Sequence, residues 1–172
     1  MIRLASLALI SAVALVSACG TPDHLSGTPD PYGAGSGAYG AGGANDVNNP
    51  SSPAYFQARV GDRVLFPVDQ SSLTAEARMI LDGQATWLRT NAQYRATIEG
   101  HADEQGTREY NLALGARRAS AVYDYLVSRG VSASRLATVS YGKERPIELC
   151  SVETCYAKNR RAVTVVSAGA GV

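Results

Sequence analysis

The chain has 172 residues, enough for one ordinary domain with additional segments and short of two full domains. Sixteen basic against fifteen acidic residues leave a formal net charge of +1, which excludes the global field that gathers nucleic acid or acidic lipid. The 17 glycines exceed an average share, and the excess lies before residue 44, so two compositions are joined end to end.

Met1-Ile2-Arg3 gives a short positive start, and Leu4 to Val16 is a nearly unbroken run of apolar and small residues. The run falls short of the roughly 20 apolar residues of a spanning helix and suits the core of a secretory signal. It ends in Val16-Ser17-Ala18-Cys19, which resembles the lipobox of bacterial lipoproteins. That resemblance implies removal of residues 1–18 and acylation of Cys19 as the new N-terminus. An ordinary signal with an incidental cysteine is the plainer alternative. Each buried CH₂ contributes about 0.8 kcal/mol, so more than one acyl chain on a single cysteine anchors stably. Gly20 stands where an Asp in such lipoproteins implies retention in the inner membrane. The resemblance therefore implies a lipid anchor in the outer membrane, facing the periplasm.

Residues 19–54 read as a flexible tether. Pro22, Pro29, Pro31, the glycine-rich stretch from Gly33 to Gly43, and Asn48-Asn49-Pro50 offer almost nothing apolar to bury. Ordering them would cost backbone entropy without compensation. A flexible chain spans about 5–6 Å × √n, which for roughly 33 residues is on the order of 30 Å.

Residues 55–172 carry the folded domain. Arg63-Val64-Leu65-Phe66 is a strand stopped by Pro67. Thr74 caps a helix to about Thr90, where Ala77, Ile80, Leu81, Gln84 and Leu88 form an apolar stripe with one polar interruption, and Asn91 ends it. Arg95 to His101 alternates as a strand, and Gly106 marks a loop. A second helix runs from about Arg108 to Arg129, with Leu112, Gly115, Ala119, Val122 and Leu126 toward the sheet and Gly130 as C-cap. Ser132 starts a short turn through Leu136, and 137–141 and 161–167 are the last strands. The order β-α-β-α-β-β predicts an α/β fold, a two-layer sandwich with both helices on one face of a sheet containing parallel strands. Cys150 and Cys155, spaced C-x4-C between those strands, are expected to close a disulfide loop in an oxidising compartment, ahead of reduced thiols. Metal comes last for two sulfurs with no histidine nearby.

The stretch Ile98-Glu99-Gly100-His101-Ala102-Asp103-Glu104-Gln105-Gly106-Thr107-Arg108-Glu109-Tyr110-Asn111 resembles the signature loop of OmpA-like peptidoglycan-binding domains. Leu114-Gly115-Ala116-Arg117-Arg118-Ala119, then Val139-Ser140-Tyr141-Gly142-Lys143-Glu144-Arg145-Pro146, then Asn159-Arg160-Arg161-Ala162-Val163 follow in family order. The resemblance covers nearly all of residues 60–166. It implies a non-catalytic, cofactor-free domain that binds the diaminopimelate of the peptidoglycan stem peptide. A group bearing both an ammonium and a carboxylate calls for an acid and a base at fixed separation, and Arg offers a planar fork for the carboxylate. By resemblance Asp103 and Arg118 clasp the diaminopimelate, Asn111 organises the loop and helix start, Leu114 packs beside the ligand, and Arg161 supports the site. The plainer reading of Asp103 and Arg118 is a surface ion pair worth about 0–1 kcal/mol, and of Asn159-Arg160-Arg161 a solvated strand start. Family membership also implies periplasmic partners of the Tol system, TolB foremost and TolA second, in envelope integrity and cell division.

Two other classes compete. One is a scaffold acting mainly through protein partners. The other is a metal-dependent wall hydrolase, since Glu99, His101 and Asp103 sit two apart and would project from one strand face. Against it, His101 is the only histidine beyond the tether, where His24 lies. No metal site is expected.

Overall fold

The computed structural model describes residues 45–169. The signal segment, Cys19 and most of the tether lie outside the described residues. The chain runs through α1 (Pro53–Tyr55), a π-helical turn over Phe56–Gly61, β1 (Arg63–Leu65), α2 (Ala75–Thr90), β2 (Tyr94–His101), α3 (Arg108–Ser128), a 3₁₀ turn over Ala133–Arg135, β3 (Leu136–Gly142), α4 (Glu153–Asn159) and β4 (Arg161–Ala168). The four strands form one mixed sheet in the order β1-β4-β2-β3. Strands β2 and β3 are parallel and joined through α3, while β4 lies antiparallel between β1 and β2.

Helix α2 begins where Thr74 accepts a hydrogen bond from Ala77 N at 3.1 Å, and α3 begins where Thr107 accepts from Tyr110 N at 3.2 Å. Both helices pack on the face carrying Ala96, Ile98, Gly100, Ala162 and Thr164. Leu81, Leu88, Ala119, Val122 and Leu126 are buried there with Phe56 and Phe66 in one apolar layer. The polar interruption in the α2 stripe is part of this layer. Gln84 is fully buried, donating to Gly61 O at 2.7 Å and accepting from Thr164 Oγ1 at 2.8 Å. Helix α3 meets β2 closely at two glycines. A Cβ on Gly100 would fall 1.8 Å from the Gly115 carbonyl oxygen, so the backbone contact leaves no room for a side chain.

Three expectations are corrected. Leu112 does not face the sheet. It is exposed, and the first two turns of α3 instead bury Asn111 and Leu114, since each residue turns the helix by about 100°. The segment between the last two strands is not a plain loop but contains α4, whose lead-in is joined by the Cys150–Cys155 disulfide with a Cα separation of 5.9 Å. Ordered packing also begins before residue 55. Ser52 is buried, its hydroxyl accepting from Tyr55 N at 3.0 Å and donating to Asp46 O, and Trp87 Nε1 donates to Pro50 O at 2.7 Å. Phe56 stacks tilted against Trp87 at 4.8 Å, so the last residues of the polar stretch serve as a cover for an indole that α2 would otherwise expose.

Candidate functional site

The loop 102–107 emerges from the end of β2 and leads into α3. Asp103 begins it, with one carboxylate oxygen accepting from Gln105 N at 3.2 Å in a local turn. Asn111 holds the same loop from the helix, its amide donating to Gln105 O at 2.7 Å, and Lys143 reaches from the end of β3 to Gly106 O at 2.8 Å. The remaining oxygen of Asp103 accepts from Arg160 at 3.2 Å. Arg160 is itself buried, donating to Phe66 O at 3.3 Å and to the carboxylate of Glu153 on α4.

Arg118 comes up beneath this loop from α3. It is 0% exposed, and its guanidinium is filled by backbone: Nε donates to Gln70 O at 2.8 Å, Nη1 to His101 O at 2.8 Å and Nη2 to Pro67 O at 3.2 Å. Its carbon lies 5.2 Å from the centre of the Phe66 ring. Burial pushes its pKa down to about 10, with Arg160 acting in the same direction and Asp103 and Asp69 opposing. A buried cation normally carries a carboxylate partner. Arg118 holds only carbonyl oxygens, and no salt bridge to it occurs among the described residues.

Outside Arg118 lies a cleft of about 270 Å³, lined by Val68, Asp69, Asp103, Gln105, Gly106, Tyr110, Asn111 and Leu114. Its floor and one wall are α3 and the 103–106 loop, and the opposite wall is the β1–α2 connection. Asp69 turns that connection with φ of 58°, a left-handed conformation that Asp tolerates better than most residues, and its carboxylate accepts from the Tyr110 hydroxyl. The hydrogen bond raises the Tyr110 pKa. The cleft thus presents two carboxylates at its mouth and a guanidinium behind one wall. Both carboxylates already have partners, Asp103 in Gln105 N and Arg160 and Asp69 in the Tyr110 hydroxyl, and the 67–70 carbonyls stand between the cleft and the guanidinium.

The structure brings Asp103, Asn111 and Leu114 into this cleft and seats Arg118 directly behind it. Arg161 does not line this cleft, which corrects the expectation that it supports the site directly. Its neighbour Ala162 points into the helix-covered layer, so by strand alternation Arg161 points to the other face of the sheet. There it is buried, donating to Arg145 O at 3.1 Å. Arg160, one residue earlier, takes the place beside Asp103, and the alternation of β4 was the signal that could have separated the two. The β1–α2 connection, with Asp69, and Tyr110 were also missed, because only the fold carries them across to the 103–106 loop.

Glu99, His101 and Asp103 do not form one ligand set. His101 is buried on the open sheet face, 3.6 Å from Glu99, while Asp103 turns away to Arg160. Neither ring nitrogen of His101 has a hydrogen-bond partner, and burial, then Arg161 and Arg145, push its pKa down to about 4. Among the described residues the one group with metal-ligand spacing is Glu148, Cys150 and Cys155, whose sulfurs are already joined to each other.

Taken with the sheet order and the loop-to-helix cleft, the comparisons define the class. The model of the OmpA family matches residues 65–160. The C-terminal domain of Helicobacter pylori MotB shares the fold with a TM-score of 0.59 at 22% identity, covering 63% of this chain and 86% of that one. The chain is 48% identical over 156 residues to a peptidoglycan-associated lipoprotein of Brucella melitensis, spanning 91% of this chain and 87% of the relative. It is 40% identical to that of Haemophilus influenzae, spanning 92% and 94%. The crystal structure of the peptidoglycan-associated lipoprotein from Burkholderia pseudomallei superposes with a TM-score of 0.63 at 38% identity, covering 70% of this chain and 98% of that one. The chain belongs to the OmpA family, in the branch of the peptidoglycan-associated lipoproteins.

Proposed function

We propose that this chain is a non-catalytic clamp that ties the outer membrane to peptidoglycan by binding the diaminopimelate of the stem peptide. The observation that carries the reading is Arg118, a fully buried guanidinium without a carboxylate partner, held by carbonyls at the back of an acid-lined cleft. Keeping an unpaired cation buried costs stability, and a ligand carboxylate would compensate it. In this reading the ammonium of diaminopimelate sits against Asp103. Its carboxylate takes the fork of Arg118 in place of the Gln70 and Pro67 carbonyls, the 67–70 segment moving aside. Leu114 packs against the hydrocarbon between them, and Asn111 keeps the loop in register. The relatives' names, which state association with peptidoglycan and lipoprotein character, support the same reading.

Cys19 supplies the lipid anchor, and residues 19 to about 45 span the gap between membrane and domain. Binding is non-covalent, so the link opens and reforms as the wall is remodelled. Co-sedimentation of the purified full-length chain with diaminopimelate-type and lysine-type sacculi tests the site. Asp103→Asn and Arg118→Lys are expected to release the protein from diaminopimelate-type wall while circular dichroism stays unchanged. Retention by both variants removes the assignment. Cys19→Ala is expected to move the protein out of the membrane fraction, and continued membrane association refutes lipidation. A periplasmic protein partner of the Tol type, TolB first and TolA second, belongs to the same reading through the family resemblance, and the exposed apolar side chains Leu65 and Ile147, which line one groove, offer it a surface. Pull-down with purified TolB, with and without wall fragments, tests binding and competition.

A further inference from the structure

The Cys150–Cys155 disulfide lies outside the cleft, yet the residues it encloses reach the cleft's loop. Ser151 Oγ donates to Glu104 Oε1 at 2.8 Å, and Tyr156, just beyond the bridge, donates to the same oxygen at 2.8 Å. Glu153, between the two cysteines, receives Arg160, the residue that also bonds Asp103. Glu104 directly follows Asp103. The segment 150–156 therefore grips Asp103 twice, through its chain neighbour and through its guanidinium partner.

What fixes that segment? Helix α4 has seven residues, too few to persist on its own. Its C-terminal end is held independently: Asn159 accepts from Ile147 N at 2.9 Å and donates to Glu148 O at 2.9 Å, and Lys158 pairs with Glu148 at 2.7 Å. At its N-terminal end the N-cap residue Val152 offers no side-chain hydrogen bond, and the contacts there are those of Ser151, Glu153 and Tyr156 with Glu104 and Arg160. The covalent bridge ties the lead-in at Cys150 to the first turn of α4 at Cys155 and so limits how Ser151, Glu153 and Tyr156 can move relative to one another. Ser151, Glu153 and Glu104 are exposed, and hydrogen bonds of exposed side chains are individually weak, although Arg160, the partner of Glu153, is buried. They hold the loop only if their geometry is set in advance.

We infer that the Cys150–Cys155 disulfide is a positioning brace for the wall-binding site, orienting Asp103 through Glu104 and through the Glu153–Arg160 pair, and that its reduction weakens binding without unfolding the domain. The inference rests on the wall-binding reading above. Cys150 is exposed and open to attack. A dithiol reductant gives two electrons and two protons, leaving two cysteine thiols here and one disulfide in the reagent.

The test compares the full-length chain in oxidised, dithiol-reduced and reoxidised forms with Cys150→Ala/Cys155→Ala and Tyr156→Phe. Each is titrated with diaminopimelate-type sacculi, and the Arg160 Nε–H resonance is followed by NMR beside backbone resonances of Leu88 and Ile98. Reduction and the double substitution are expected to weaken binding about three- to tenfold, the scale for losing the prior ordering of one or two side chains. Reoxidation restores only the wild type. Tyr156→Phe, with the bridge intact, shifts binding in the same direction by less. The Arg160 resonance moves on reduction while those of Leu88 and Ile98 stay. Equal affinity of the oxidised and reduced forms with an unmoved Arg160 resonance overturns the brace, and so does collapse of the core resonances on reduction. Failure of the oxidised wild type to bind the sacculi overturns the wall-binding reading instead, and the Arg160 resonance still decides whether the bridge positions the site.

Discussion

The two ends of the sheet are held by different physics. Toward the start of β2, Ala96, Leu88, Leu126, Val131 and Trp87 pack without charge, and the helices lie on the sheet like any close-packed interior. At the other end, where β2 and β4 meet the loops, the large buried groups are Arg118, Arg160, Arg161, His101 and Asp103. An interior built for stability alone would fill those positions with hydrocarbon. The contrast agrees with the proposed site at the ionic end and makes the apolar end the platform that holds that end in place.

Substitutions at the two ends should separate these roles. Ile98→Ala removes a fully buried side chain from the apolar layer and should cost about 2–5 kcal/mol in urea denaturation, with wall binding by the folded protein unchanged. A parallel loss of binding would mean that the layers are not independent. Arg118→Met keeps the volume but strips the donors from three carbonyls. It should cost about 1–3 kcal/mol and abolish co-sedimentation with the wall. Acid should strike the ionic end first. His101 is held neutral in the fold, so the unfolded chain takes up its proton before the folded chain does. Stability should therefore fall as pH drops from 6.5 to about 4 and lose nothing further through this group below that. Melting curves across that range should steepen the loss in wild type and flatten for His101→Phe. The smallest effect belongs to Trp87→Phe, which gives up the bond to Pro50 for about 1 kcal/mol, with binding untouched.

What the sequence could announce was local. Thr74 and Asn91 delimit α2 because caps act on their own backbone, and the alternation from Arg95 to His101 reports β2 directly. Asp103, Asn111 and Leu114 came from the resemblance of one continuous motif, and the structure places them together because that motif is one loop and the helix that follows it. Partners far apart in the chain were not legible. Gln84 looked like a flaw in an apolar stripe because Thr164, which satisfies it, lies 80 residues away. That Arg118 lies buried under the 67–70 segment was not legible, because nothing near it in sequence reveals that Pro67 and Gln70 fold over it. Arg160 and Arg161 differ by one position, and the alternation at the start of β4 sends one to Asp103 and the other to the opposite face of the sheet. Helix α4 was hidden for a related reason, since a seven-residue helix is specified by what clamps it rather than by periodicity.

The short cover that Pro50 to Phe56 lays over Trp87 has a mechanical consequence. Tension arriving along the chain from its N-terminal side meets this clip before it meets any strand. Strand β1, at the sheet edge, is loaded only after the indole bond and the Ser52 cap have torn away. Each residue so released extends the reach by about 3.5 Å. The domain therefore yields slack under stress before it surrenders its grip, as a seam gives a few stitches to spare the cloth.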